Sequence, residues 1–182
     1  YRALHHGSAS YAQALVQLGV KPGDRVAVQV EKSFEALLLY LACIRSGAVF
    51  LPLNTAYTMH EIDYFLRDAE PALFVARPEN ADELRVVAAS AGVPGFETLG
   101  TDGDGSLPSL LNADAAAWQD VGRGADDLAA ILYTSGTTGR SKGAMLTHEN
   151  LRSNAAVLIE TWRWTANDVL IHALPIFHAH GL

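Results

Sequence analysis

The stretch Tyr133-Thr-Ser-Gly-Thr-Thr-Gly-Arg-Ser-Lys-Gly143 holds the groups a polyphosphate requires. Gly136, Gly139 and Gly143 permit tight turns and close backbone approach. Thr134, Ser135, Thr137 and Thr138 carry hydroxyl donors. Arg140 and Lys142 bring two cations, and backbone N–H groups in such a turn converge on an anion. The same composition also describes a plain surface turn. A mononucleotide loop of the Gly-x4-Gly-Lys-Ser/Thr kind needs a glycine where Ser141 stands and a magnesium-binding hydroxyl where Gly143 stands. Two defining positions fail, so that class is excluded and a different phosphate loop remains.

Apolar runs flank the loop at 128–132 and 144–146 and read as a strand–loop–strand unit. Thr147 then N-caps a helix expected from His148 to about Thr161, with Glu149 facing the positive end of its dipole. Upstream, helices are expected over 7–18, 34–46, 58–67 and 80–91, and strands over 25–30, 49–52 and 72–76. Gly19 and Gly47 stand at helix C-terminal stops. Alternation of strands and helices through short turns is the pattern of a parallel sheet with helices on its faces. The glycine-rich segment 100–105 reads as an exposed loop, lacking the ligand count of a calcium loop. Residues 114–124 read as a linker around Trp118. The boundary is placed there, giving a first α/β subdomain over 1–124 and the start of a second over 125–182. A last buried strand is expected over 168–174.

Of the 182 residues, 49% are hydrophobic and 18% charged, which suits a protein with a real core. No apolar run reaches the roughly 18 residues of a membrane span. A net charge of -7 without a basic cluster excludes a nucleic-acid surface, and confines the positive charge for a polyanion to Arg140 and Lys142. The single cysteine, Cys43, excludes an internal disulfide and fits a reducing, cytoplasmic compartment. It lies in an apolar helical run, as a buried inert thiol would.

His5, His6 and His60 read as surface residues, and His172 as a hydrogen-bonded core histidine within the last strand. His178 and His180 have the His-x-His spacing of a metal pair. No third ligand lies near them in sequence, so no metal site is assigned. Following a strand end and Pro175, they instead line the carboxyl edge of a sheet, where α/β proteins bind ligands. Trp162 and Trp164, at alternate positions beside a strand, read as packing residues.

The loop resembles the phosphate loop of the adenylate-forming, AMP-binding superfamily of acyl-CoA synthetases, luciferases and peptide-synthetase adenylation domains. Ser141 departs from the proline many members carry. Two further stretches are similar to motifs of that family, in the same order. One is Ala36-Leu-Leu-Leu-Tyr-Leu-Ala-Cys-Ile-Arg-Ser-Gly-Ala-Val-Phe-Leu-Pro52. The other is Leu174-Pro-Ile-Phe-His-Ala-His-Gly-Leu182. With Trp162-Arg-Trp-Thr, the last resembles malonyl-CoA synthetases most. The resemblance implies part of the N-terminal domain of an acid–thiol ligase that uses ATP, Mg2+ and CoA to activate a small carboxylate, malonate or methylmalonate. It further implies that Thr134, Ser135, Gly136, Thr137, Thr138, Gly139 and Lys142 hold the phosphates, and that Lys142 and His178 act in catalysis, His178 beside the acyl carboxylate. The family's magnesium-binding glutamate, ribose-binding aspartate, hinge and C-terminal lysine have no counterpart here. A fragment inactive by itself is therefore expected. Another acyl- or aryl-CoA ligase and a noncatalytic truncated module stay open as alternatives.

Overall fold

The computed structural model describes residues 1–112, 117–134, 140–178 and 181. Among the described residues, six strands form one sheet: β1 (Arg25–Gln29), β2 (Val49–Pro52), β3 (Leu73–Ala76), β4 (Gly95–Thr98), β5 (Leu128–Thr134) and β6 (Lys142–Thr147). Their spatial order is β4-β3-β1-β2-β5-β6, parallel except for the antiparallel pair β5–β6. The sheet is continuous across residue 124, because β5 pairs with β2 through Phe50 and Ala130.

Helices α1 (Arg2–Gln17) and α2 (Phe34–Ser46) cover one face, and α3 (Met59–Ala69) and α4 (Ala81–Ser90) the other. The two-residue period of the strands sorts their side chains between these layers. Val26, Val28, Phe50, Leu73 and Val75 pack with Tyr11, Leu15, Leu39 and Cys43. Their neighbours Ala27, Leu51, Phe74 and Ala76 pack with Ile62, Phe65, Leu66 and Leu84. Both faces of the central strands are thus buried, and those strands read as continuous apolar runs.

Local signals set the helix ends. Ser33 accepts a hydrogen bond from the Ala36 N–H at the start of α2, and Gly47 ends it in the left-handed region at φ 74°. Thr58 and Glu61 form a reciprocal capping box on α3, and Thr147 and Asn150 another on α5 (His148–Thr161). At the far end of α3, Arg25 donates to the Ala69 and Glu70 carbonyls at 2.7 Å each, satisfying acceptors the helix leaves open.

Three expectations are corrected. Strand β4 was not anticipated: Gly95-Phe-Glu-Thr98 follows a turn-rich run and lacks a clear alternation. Residues 168–174 form no strand; Val169, Leu170, Ile171 and Leu174 are exposed, and no described strand lies alongside to pair with them. An apolar run becomes a strand only when an edge receives its N–H and C=O groups. His172, on that segment, is consequently exposed rather than a core histidine. Trp162 lies at the C-cap of α5, 60% exposed, with its ring 6.3 Å from that of Trp164. His5, His6 and His60 are on the surface and Cys43 is fully buried, as read from the sequence.

Candidate functional site

Because β5 runs parallel to β2, its last residue, Thr134, reaches the carboxyl edge of the sheet. Ligands of α/β proteins bind outside that edge. The chain returns antiparallel as β6, and the register sets Tyr133 opposite Gly143 and Thr134 opposite Lys142. The two ends of the glycine-rich loop are therefore neighbours in one ladder. Of the expected phosphate ligands, Thr134 and Lys142 sit face to face at its base, both exposed. Ser135, Gly136, Thr137, Thr138 and Gly139 lie outside the described residues.

The peptides on both sides of Lys142 are held. Its own carbonyl accepts from the Thr134 hydroxyl at 3.4 Å. The preceding carbonyl, that of Ser141, accepts from the Tyr64 hydroxyl of α3 at 3.0 Å. The other arm of the loop is tied to the same helix, since the Tyr133 hydroxyl donates to the Asp68 carboxylate. Burial, and then the adjacent Asp68 carboxylate, push the Tyr133 phenol well above its ordinary range and keep it a donor. Phe65 fills the space between, with ring centroids 4.4 Å from Tyr133 and 5.4 Å from Tyr64. A recess of about 580 Å³ opens beside these contacts, lined by the exposed side of α3 together with Arg140 and Ser141.

Tyr64 and Asp68 did not emerge from the motif, being far from it in sequence. The available signal was their four-residue spacing, which puts both on one face of an amphipathic helix. Folding sets that face beside the loop, and its polar tips reach past Phe65 to it.

His178 lies on a separate segment and is exposed. Its ring packs edge-on against Phe177 with centroids 4.6 Å apart, and its N–H faces the Pro175 carbonyl at 3.5 Å. Ile176 anchors this segment in the core beneath α2. Lys32, in the turn between β1 and α2, donates to the Leu174 carbonyl at 2.8 Å and to the His172 carbonyl. His180 lies outside the described residues. Among the described residues, no three His, Cys, Asp or Glu side chains converge to hold a metal ion. A second, more apolar groove of about 810 Å³ runs between α2 and α5, bordered by Tyr40, Leu158, Trp162 and Leu174.

No helix among the described residues is long and apolar enough to cross a membrane. The model of the AMP-binding enzyme family matches residues 1–182. The chain is 34% identical over 189 residues to the mitochondrial malonate–CoA ligase of Mus musculus, covering 100% of this chain and 31% of that protein. It is 37% identical over 185 residues to a feruloyl-CoA synthase of an Amycolatopsis species, covering 100% of this chain and 35% of that one. Among solved structures, ATP-bound MatB from Rhodopseudomonas palustris superposes with a TM-score of 0.92 at 57% identity, covering 100% of this chain and 36% of MatB. The chain thus spans about a third of the length of these relatives. The strands that flank its glycine-rich loop, its mixed sheet and its match from end to end have one common explanation: the chain is a member of the AMP-binding enzyme family.

Proposed function

We propose that this chain is the nucleotide-facing part of an ATP-dependent acid–CoA ligase acting on malonate or methylmalonate, and that by itself it does not complete the reaction. The observation that carries the reading is the placement of Lys142 opposite Thr134 at the carboxyl edge of the parallel sheet, with both flanking peptides fixed. In the first half-reaction a substrate carboxylate oxygen attacks the α-phosphorus of ATP, forming an acyl-adenylate and releasing pyrophosphate. An anion approaches a polyanion in that step, so the chain must offset charge where pyrophosphate departs. The Lys142 ammonium and the donors of residues 135–139 serve that purpose, with the Thr134 hydroxyl bracing the Lys142 carbonyl beside them. His178 orients the acyl carboxylate. CoA thiolate then attacks the acyl carbonyl and displaces AMP.

The preference for malonate is supported by the malonate–CoA ligase relative and by the Phe177-His178 motif. A second reading, an aryl-CoA ligase, is supported by the feruloyl-CoA synthase of similar identity. The test is pyrophosphate release by the full-length protein with ATP, CoA and a panel of malonate, methylmalonate, short fatty acids and cinnamic acids. Turnover of malonate or methylmalonate is expected to exceed that of the other acids; a preference for cinnamic acids selects the second reading, and no turnover of any acid removes both. Lys142→Ala is expected to slow ATP–pyrophosphate exchange, and a wild-type rate would remove its role. His178→Ala is expected to impair acid activation more than transfer from preformed acyl-adenylate to CoA; equal losses would remove His178 from the carboxylate. The lone, fully buried thiol supports a reducing compartment such as the cytoplasm.

A further inference from the structure

We propose that α3 is the positioning element of the phosphate loop, with Tyr64 and Asp68 clamping its two arms so that the backbone carrying Lys142 is set before ATP arrives. This rests on the ligase reading above. The clamp is built from one helical face: Tyr64 donates to the Ser141 carbonyl on the outgoing arm, and Asp68 accepts from Tyr133 on the incoming one. The Ser141 carbonyl belongs to the peptide whose nitrogen is that of Lys142, so the Tyr64 bond fixes the plane from which the lysine side chain departs. Thr134 fixes the plane on the other side. A lysine has four rotatable side-chain bonds, and an ammonium on a loose backbone would have to be ordered at the moment of reaction. Fixing both peptides removes that part of the ordering cost in advance.

The aromatic packing separates the hydroxyl from the ring. Tyr64 lies against Phe65 and Tyr133, with centroids 5.4 and 6.4 Å apart, so phenylalanine at position 64 keeps these contacts and loses only the donor. The adjacent recess admits water to the freed Ser141 carbonyl, which limits the loss to that of one exchanged hydrogen bond, about three- to tenfold.

The experiment uses the full-length protein and its Tyr64→Phe variant, with two readouts. In ATP–pyrophosphate exchange, KM for ATP is expected to rise about three- to tenfold while transfer from preformed acyl-adenylate to CoA is unchanged. In native limited proteolysis, trypsin cleavage after Arg140 is expected to quicken by a similar factor. Tyr133→Phe, which frees the incoming arm, is expected to quicken that cleavage too. An unchanged cleavage rate in both variants, or equal losses in the two half-reactions, overturns the clamp. If the wild-type protein activates no acid, the ligase reading fails separately, and the proteolysis still decides whether α3 holds the loop.

Discussion

Arg45 Nε donates to the Asp120 carboxylate at 2.6 Å, tying the end of α2 to the crossing segment that leads into β5. The same guanidinium donates to the His5 carbonyl at 2.6 Å and the Ser8 hydroxyl at 2.8 Å, so one side chain joins α1, α2 and the approach to the glycine-rich loop. The Val121 N–H returns to the Arg45 carbonyl at 2.8 Å.

The two partners are not equivalent. Arg45 is 13% exposed along its side chain and Asp120 60%. Arg45→Ala leaves the Ser8 hydroxyl and the His5 carbonyl with only the longer bond between them, at 3.3 Å, in a partly buried setting and is expected to cost about 1–3 kcal/mol. Asp120→Ala removes a screened surface pair and is expected to cost less than about 1 kcal/mol. Urea denaturation of the two variants checks the order; equal midpoints would contradict it.

Gly47 offers a second test at the same junction. It stands at φ 74°, and an added Cβ would lie 3.0 Å from Arg123 Cδ, 3.2 Å from Val121 Cγ1 and 3.3 Å from Pro22 Cβ. Gly19, at φ 87°, has nothing within 4 Å of the same position. Alanine at Gly19 thus carries only the left-handed backbone cost, about 1–2 kcal/mol. Alanine at Gly47 adds crowding and is expected to lose about 1 kcal/mol more. The difference between their thermal unfolding midpoints reads the crowding alone.

Elements whose signals are local were legible in the sequence. The bounds of α2 and β2 follow from Ser33, Gly47 and Pro52, and α5 from Thr147, because capping and termination are decided within a few residues. What needed a distant partner was not. Residues 168–174 are apolar enough for a strand, but pairing depends on an edge elsewhere in the chain. In the site, Lys142 and Thr134 were visible through the motif, whereas Tyr64 and Asp68 became visible only once folding brought α3 beside the loop. Hydrophobic periodicity reports which face of a helix is buried, and it says nothing of what the polar tips on that face touch.

Cys43 tests the main core. It is fully buried, and burial pushes its thiol far above the ordinary range, so almost no thiolate is present at neutral pH. A thiol-specific reagent is expected to leave Cys43 unmodified in the native protein and to label it fully in denaturant. Rapid native labelling would show that the layer of α1 and α2 opens readily.

The capping box of α3 carries a pH dependence that bears on the loop's platform. Glu61 accepts from the Thr58 N–H and the Thr58 hydroxyl, both at 2.8 Å, and these bonds hold its carboxyl below its ordinary value of 4.5. A carboxyl whose folded pKa is depressed contributes stability above its unfolded pKa and loses it as pH falls through the folded value. Glu61→Ala is therefore expected to lower the thermal midpoint at pH 7 through the broken cap, an effect of about 1 kcal/mol. The gap from wild type should stay constant down to about pH 5 and narrow as the pH drops below 4.5, where the wild-type carboxyl protonates. Thr58→Ala removes the hydroxyl but leaves the Thr58 backbone N–H as a donor, so part of the pH dependence should survive in it. Thermal melts of the three proteins between pH 3 and pH 7 measure this, and a gap that widens toward acid would reverse the sign and remove Glu61 from the cap.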